Sequence, residues 1–471
     1  MPTTDCSQES FRFAGLSSRE VVGRFDGGAI GSDGGGLLLR EVERRTRIME
    51  RFALCFTDHR VADRIEHRVA AMLAQRVCGL ALGYEDLNDH DQLRSDPLLA
   101  LLAGVRDATG QHRKQERDRG KALAGKSTLN RLELSGEEVE KQERYHKIVM
   151  QPEAIDELLV KVFLEAHATA PLASAPEEIV LDLDATDDPL YGQQEGRFFH
   201  GYYGHYCYLP LYIFCGEHLL CARLRSSNID ASAGSLEEVE RIVKQIRARW
   251  PEVRIILRAD SGFCREALMR WCEDNRVHYV FGLARNQRLR KIIDQEMAQA
   301  RSLQEQTQQA ARVFSEFSYR THDSWSCARR VVAKSEHLAK GENPRFIVTS
   351  LHAAHVPAQP LYERLYCARG EMENRIKEQF SLFSDRTSTA YLRSNQLRLY
   401  LSSIAYLLLA ALRRLGLQGT AMAKAQCQTI RLKLLKIGAL VRVTVRKVWI
   451  SFSSSYPHQA LFAQVFRQLR A

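Results

Sequence analysis

"EIVLDLDA", residues 178–185, decides how the rest of this chain is read. It follows "HATAPLASAP" (167–176), whose small residues and prolines have a linker's composition. It is the first segment with the short, apolar-rich character of a strand. Two aspartates sit near its end, although strands disfavour Asp. Period two puts Val180, Asp182 and Asp184 on one face and Ile179, Leu181 and Leu183 on the other. Either aspartate could be no more than a strand-end residue, so what lies around it decides.

Toward the C-terminus, "CYLPLYIFCGEHLLCARLR" (207–225) reads as two strands around a turn at Gly216. "SLEEVERIVKQIRARW" (235–250) has helical period and opens with Ser235 and Glu238 in capping-box spacing. "VRIILRAD" (253–260), "CREALMRWCEDN" (264–275) and "HYVFGLA" (278–284) then read as strand, helix and strand, giving the order βββαβαβ. A first and fourth strand joined through a helix are natural parallel neighbours, and ligand sites in such sheets gather at the carboxyl ends of strands. Asp260 ends the fourth strand before the turn Ser261-Gly262-Phe263, so its carboxylate should converge with that of Asp182 or Asp184.

Residues 290–345 break this rhythm with a charged helix and β-like alternation in "RVFSEFSYRTHD" and "CARRVVAKSEHL". "RFIVTSL" (345–351) precedes a long helix expected over about 360–383. At 100° per residue Tyr366, Arg369, Glu373, Lys377 and Phe380 share one stripe, with Glu373 at its centre. Each acid has an ordinary reading: a turn cap for Asp260, and for Glu373 a solvated face with a Glu373–Lys377 pair worth a few tenths of a kcal/mol. Together, acids at the ends of adjacent strands match what hard cations such as Mg²⁺ and two-metal phosphoryl chemistry require. The sequence has no histidine cluster for zinc and no G-x-S-x-G for acyl transfer.

The first 150 residues read as mostly helical, as in "LLLREVERRTRIMERF" (37–52) and "EHRVAAMLAQRVCGLALG" (66–83). "GKALAGKST" (120–128) fits the P-loop pattern, but that loop must leave a strand, and the preceding "QHRKQERDR" (111–119) has seven charged residues of nine, counting His112, and no apolar run. A chance match is the expectation. Among 471 residues, 67 Lys and Arg against 57 Asp and Glu point to a polyanionic partner, nucleic acid before membrane. Eleven cysteines without a C-x-x-C pair suit buried reduced thiols and a cytoplasmic setting. The start lacks the form of a secretory leader, and "LSSIAYLLLAALRRL" (401–415) reads as a buried helix, shorter than the roughly 18 apolar residues that span a bilayer.

"LDLDATDDPLYGQQEGRFFHGYYGHYCYLPLYIF" (181–214), "ADSGF" (259–263) and the Y-x-x-R-x-x-x-E spacing of Tyr366, Arg369 and Glu373 together resemble the DDE transposases of bacterial insertion sequences. The resemblance implies an α/β catalytic domain with an RNase H-like mixed sheet (βββαβαβα) over 178–290 and 346–420. It also implies a helical DNA-binding region over 1–165, a linker at 166–177, a β-rich insertion domain at 291–345 and a basic segment at 421–471. Asp184, Asp260 and Glu373 would be the catalytic, metal-binding triad for two Mg²⁺ ions, with Mn²⁺ able to substitute. Whether Asp182 or Asp184 is the first ligand stays open. Tyr366 and Arg369 would contact DNA near the scissile phosphate. Related groups often carry a lysine seven residues past the Glu, where Phe380 stands, so Lys377 would be its substitute.

Trp325 would either plug the insertion's core or stack on a flipped-out base, as in hairpin-forming relatives. The implied partners are the element's terminal repeats and target DNA, bound by a homodimer in a bacterial cytoplasm, with no membrane or nucleotide cofactor. A DNA-binding regulator with inert acids and a P-loop NTPase are the alternatives.

Overall fold

The computed structural model describes residues 10–134, 136–137, 145–168 and 175–471, in two compact units: Met1–Val149 with Ile404–Ala471, and Met150–Ser403. The second is built on one sheet. Residues 178–185 form its strand β1 (Glu178–Ala185), followed by β2 (Leu211–Cys215) and β3 (His218–Arg223) in an antiparallel meander. Helix α1 (Ser235–Arg249) leads to β4 (Arg254–Ala259), parallel to β1, and α2 (Glu266–Asp274) leads to β5 (His278–Leu283), parallel to β4. All seven elements fall where periodicity put them. The capping box does not form. Gly234, at φ 73°, precedes the helix, the Ser235 hydroxyl donates to the Ser232 carbonyl, and Glu238 is held by Arg223 and Arg241.

The stretch after β5 departs from expectation. Helix α3 (Asp294–Thr307) is followed by β6 (Ala311–Tyr319), β7 (Arg329–Leu338) and β8 (Arg345–Thr349), and the sheet runs β3-β2-β1-β4-β5-β8-β7-β6, with a short strand Gly341–Glu342 beside β7. Residues 291–345 therefore continue the central sheet instead of forming a β-rich domain of their own. The cause is β8, which pairs antiparallel with β5 on one side and β7 on the other. It covers backbone groups on β5 that would otherwise form an open edge.

The sheet has an apolar layer on each face. Ile179, Leu181 and Leu183 pack with Val239, Ile242, Leu257 and Phe281 on one side. Val180 faces Ile256, Val280, Ile347 and Leu361 on the other, so the two-face division of β1 holds. A fully buried aliphatic side chain contributes about 1.5–3 kcal/mol over its exposed state. A one-residue slip of β1 would turn Ile179, Leu181 and Leu183 to the wrong face, so packing fixes where Asp184 points.

In the first unit, Leu37–Thr46 and Val69–Leu82 are helices as expected, whereas Ser10–Leu16 and Arg19–Arg24 form an unexpected hairpin. Strands Ala439–Val443 and Val448–Phe452 pair with each other, and Ala439–Val443 also pairs with Ile30–Gly31. The segment 421–471 is thus not separate but shares a unit with the N-terminal region. Helix Pro152–Ala168, expected in the N-terminal region, belongs to the second unit. Much of the linker expected at 166–177 lies at 169–174, outside the described residues. The stretch 401–415 is part of helix Leu392–Gly416 and is buried in protein.

Candidate active site

Asp184 stands one residue before the end of β1, opposite Tyr212 of β2. Asp260 directly follows β4, the parallel neighbour of β1, and its carboxylate accepts a hydrogen bond from the Gly262 amide at 2.8 Å, capping the turn Ser261–Phe263. Asp260 is half-buried and also lines the cleft, so the ordinary capping role and a cleft-facing position coexist. Gly282 on β5 makes this close assembly possible. A Cβ there would sit 2.7 Å from the Tyr366 hydroxyl oxygen and 2.8 Å from the Ser261 amide nitrogen, nearer than side chains pack.

The late helix is less regular than the 100° wheel assumed. It opens at Ala358–Pro360, widens into π-type turns over Leu361–Tyr366, tightens to a 3₁₀ turn over Cys367–Arg369 and becomes regular in α4 (Gly370–Phe380). Tyr366 packs inward against the apolar layer beside Val280 and Ile347, while Arg369, Glu373, Lys377 and Phe380 line a cleft of about 570 Å³ with Asp184 and Asp260. The stripe holds for four of its five members.

Arg369 sits among the carboxylates, its Nη1 3.4 Å from Asp184 Oδ2 and its Nη2 3.5 Å from Glu373 Oε1. Glu373 is therefore paired with Arg369 and not, as its spacing allowed, with Lys377. Burial pushes the Asp184 carboxyl up to about 6; Arg369 opposes the shift, and the negative charges of Asp260 and Glu373 add to it. Asp182 has a different fate. It lies directly across from Arg258 on β4 and is locked to it by two bonds of 2.5 and 2.7 Å, and Arg258 also donates to the Leu365 carbonyl. Asp182 is buried in that pair, so of the two candidates only Asp184 lines the cleft.

The three cleft carboxylates are the oxygen donors a hard cation takes, and their mutual repulsion is what such a cation would relieve. Their donor chemistry fits Mg²⁺. They are not drawn into a closed shell: among the described residues no group of three or more His, Cys, Asp or Glu is close enough to hold a metal ion. Arg369 supplies part of the positive charge between them.

A profile of the family described as "Transposase DDE domain group 1" matches residues 13–471. The chain belongs to the DDE transposases. No curated protein matches it. Among solved structures, a chain of a piggyBac transposase synaptic complex with hairpin DNA, determined by cryo-EM, is similar at 11% identity, covering 86% of this chain and 80% of that one with a TM-score of 0.40.

Two sequence candidates of this transposase lie away from the cleft. Trp325 is 5% exposed in the main core, edge-on to Tyr319 at 5.8 Å and 5.5 Å from the Arg329 guanidinium, which Glu266 and Glu273 hold in place. It is a core residue, and the structure does not present it for stacking on a base. The P-loop match has no strand before it: residues 111–119 are turns with a 3₁₀ segment at Glu116–Asp118. Lys126 bonds Asn88 at 3.1 Å and pairs with Asp91 at 3.5 Å.

The sequence reading assigned no role to His200, Tyr202 and Tyr203, which also line the cleft. They sit where short strands Phe198–His200 and His205–Tyr208 form a side sheet with Asp188–Pro189. Tyr202 is 87% exposed. The available signal was composition: "RFFHGYYGHYCY" (197–208) holds six Phe and Tyr in twelve residues, far more than an exposed loop needs for folding.

Proposed function

We propose that this DNA transposase binds the terminal inverted repeats of a bacterial insertion sequence, hydrolyses phosphodiester bonds there and joins the freed 3′-OH to target DNA. The observation that carries the reading is the gathering of Asp184, Asp260, Glu373 and Arg369 around one cleft at the carboxyl ends of two parallel strands, in a chain of the DDE family. The order of β1 to β5, three antiparallel strands and then two parallel crossovers, supports an RNase H-like core.

Asp184, Asp260 and Glu373 would hold divalent ions, Mg²⁺ or Mn²⁺, which when bound supply Lewis acidity at the scissile phosphate. Arg369 and Lys377, on one side of the cleft, orient the phosphate through charge-assisted hydrogen bonds. The aromatic rim of Tyr202 and Tyr203 excludes water and can face an unpaired base. Tyr366 supports the turn that carries Asp260. The working form is a homodimer on double-stranded DNA in the cytoplasm, without a nucleotide cofactor.

The test is nicking of supercoiled DNA carrying the element's ends, with and without Mg²⁺. Alanine at Asp184, Asp260 or Glu373 is expected to abolish nicking and leave end binding largely intact. Binding without any metal-dependent nicking by the parent protein would make it a DNA-binding regulator instead. Dependence on hydrolysable ATP would restore the P-loop.

A further inference from the structure

From Arg386 to Ala471 the chain carries fourteen Lys and Arg and no Asp or Glu. Taking those fourteen from 67 leaves 53 basic against 57 acidic residues before position 386, so the positive balance of +10 resides entirely in the last 86 residues. Part of this charge is engaged within the first unit. Arg431 donates to the carbonyls of Leu80 and Ala81, Lys436 pairs with Asp33 at 2.6 Å, and Arg470 pairs with Glu41 at 3.5 Å. Arg442, Arg446 and Lys447 are different: they are exposed, and among the described residues no carboxylate lies within ion-pair distance of them.

All three sit on the hairpin of Ala439–Val443 and Val448–Phe452. Its turn is closed by the Thr444 amide donating to the Lys447 carbonyl at 2.8 Å, and every residue from Arg442 to Trp449 is exposed. Arg442 lies across from Trp449 on one face, Lys447 Nζ is 5.2 Å from the Trp449 ring, and Val445 at the tip is fully exposed. Exposed valines and a half-exposed tryptophan thus stand among cations that no carboxylate of the described residues neutralises.

We propose that this hairpin is a DNA-contact element, a two-stranded ribbon that enters the major groove of duplex DNA with Arg442, Arg446 and Lys447 on the phosphates and Val445 and Trp449 toward the bases. The choice of DNA rests on the transposase reading above, and size supports it. The major groove, about 12 Å wide and about 8.5 Å deep, admits a two-stranded ribbon. From Val441, the last buried residue of its strand, to Val445 is four residues at about 3.3 Å each, roughly 13 Å, enough to reach the groove floor.

The test measures affinity of the full chain for a fluorescein-labelled duplex of mixed sequence across a salt series. Replacing Arg442, Arg446 and Lys447 together by Gln should lower the slope of log K against log [salt] by about 2–3, since each phosphate contact contributes about 0.9. Trp449→Ala should weaken binding several-fold without changing the slope. An unchanged slope in a triple variant with parental thermal stability overturns the proposal. So does parental protein that binds phosphatidylserine vesicles but not the duplex, or a triple variant that only loses self-association. The nicking assay separates this from the catalytic reading: an unchanged slope with intact Mg²⁺-dependent nicking removes the hairpin's role alone, whereas a lowered slope without nicking by the parent removes the catalytic reading alone.

Discussion

Asp184→Asn should stabilise the protein while ending cleavage. The Asp184 carboxyl is lifted from an ordinary 3.8 to about 6, first by burial and then by the charges of Asp260 and Glu373. A tenfold change in proton affinity corresponds to about 1.36 kcal/mol, so keeping this group ionised at neutral pH costs the fold about 3 kcal/mol. Asparagine has the same shape, can still accept the 3.0 Å bond from the Ala185 amide, and carries no charge. The rise to about 6 is already net of the opposing Arg369 contact, which at 3.4 Å is loose, so losing that contact needs no further deduction. The expectation is a gain of about 3 kcal/mol, or roughly 6–12 °C in the unfolding midpoint for a unit of this size.

The sign follows from proton linkage. Because the folded value is the higher one, the bound proton's stabilisation is complete below about pH 4 and is lost as pH rises through about 6. The gap between variant and parent should therefore be full at about pH 7.5 and nearly closed at about pH 4. Calorimetry with a chelator present measures it, and a nicking assay reads the loss of activity. A gap that is absent at neutral pH, or equal at both, would refute the reasoning, as would a variant that still cuts.

Three other substitutions test the assignment of roles. Asp182→Ala leaves the buried Arg258 without its partner and should lower stability by about 3–5 kcal/mol, read by urea denaturation; a variant as stable as the parent would mean that the ion pair does not hold the sheet. Trp325→Ala should cost about 3–5 kcal/mol by opening the core, with normal second-strand kinetics in whatever remains folded; a stable variant that slows only the second strand would restore the stacking role. Tyr202→Ala should leave the melting temperature unchanged and weaken binding to DNA with unpaired bases near the cut by about 1–3 kcal/mol; equal affinity in a titration would exclude a rim contact.

The sheet from β1 to β5 was legible because its order is local: each strand has a clear apolar run, and helical crossovers dictate parallel neighbours. The cleft acids were legible for the same reason, since strand ends and a helical stripe place Asp184, Asp260 and Glu373 without long-range knowledge. What failed depended on distant pairing. Nothing in 311–338 states that β7 will find β8, and the C-terminal hairpin's pairing with Ile30–Gly31 spans over four hundred residues. Asp182 and Asp184 share a face by period two, so only the register that sets Asp182 against Arg258 distinguishes them. The side-sheet strands beside the turn that carries Tyr202 and Tyr203 are two to four residues long, too short for any periodicity to register.

The charge count of the cleft constrains the order in which it can work. Three carboxylates face Arg369 and Lys377, so with these five groups ionised they carry one net negative charge before any ligand arrives. A DNA phosphate entering that cleft alone would meet Asp184 and Glu373 across Arg369, and repulsion inside a partly desolvated site is far stronger than in bulk water. Divalent cations on these carboxylates would reverse that sign. Asp184, Asp260 and Glu373 would hold such cations, whose charge would offset the part of the Asp184 shift that comes from Asp260 and Glu373, and Arg369, held only by two loose contacts, would then be available to hold a phosphate. The same arrangement explains why the fold tolerates the cluster. Ile179, Leu181 and Leu183 anchor β1 from the opposite face, so the strand that bears the costly carboxylate is also among the most firmly packed in the sheet. The site's electrostatic strain is stored on an element that local packing will not release, and divalent cations held by its carboxylates would relieve it.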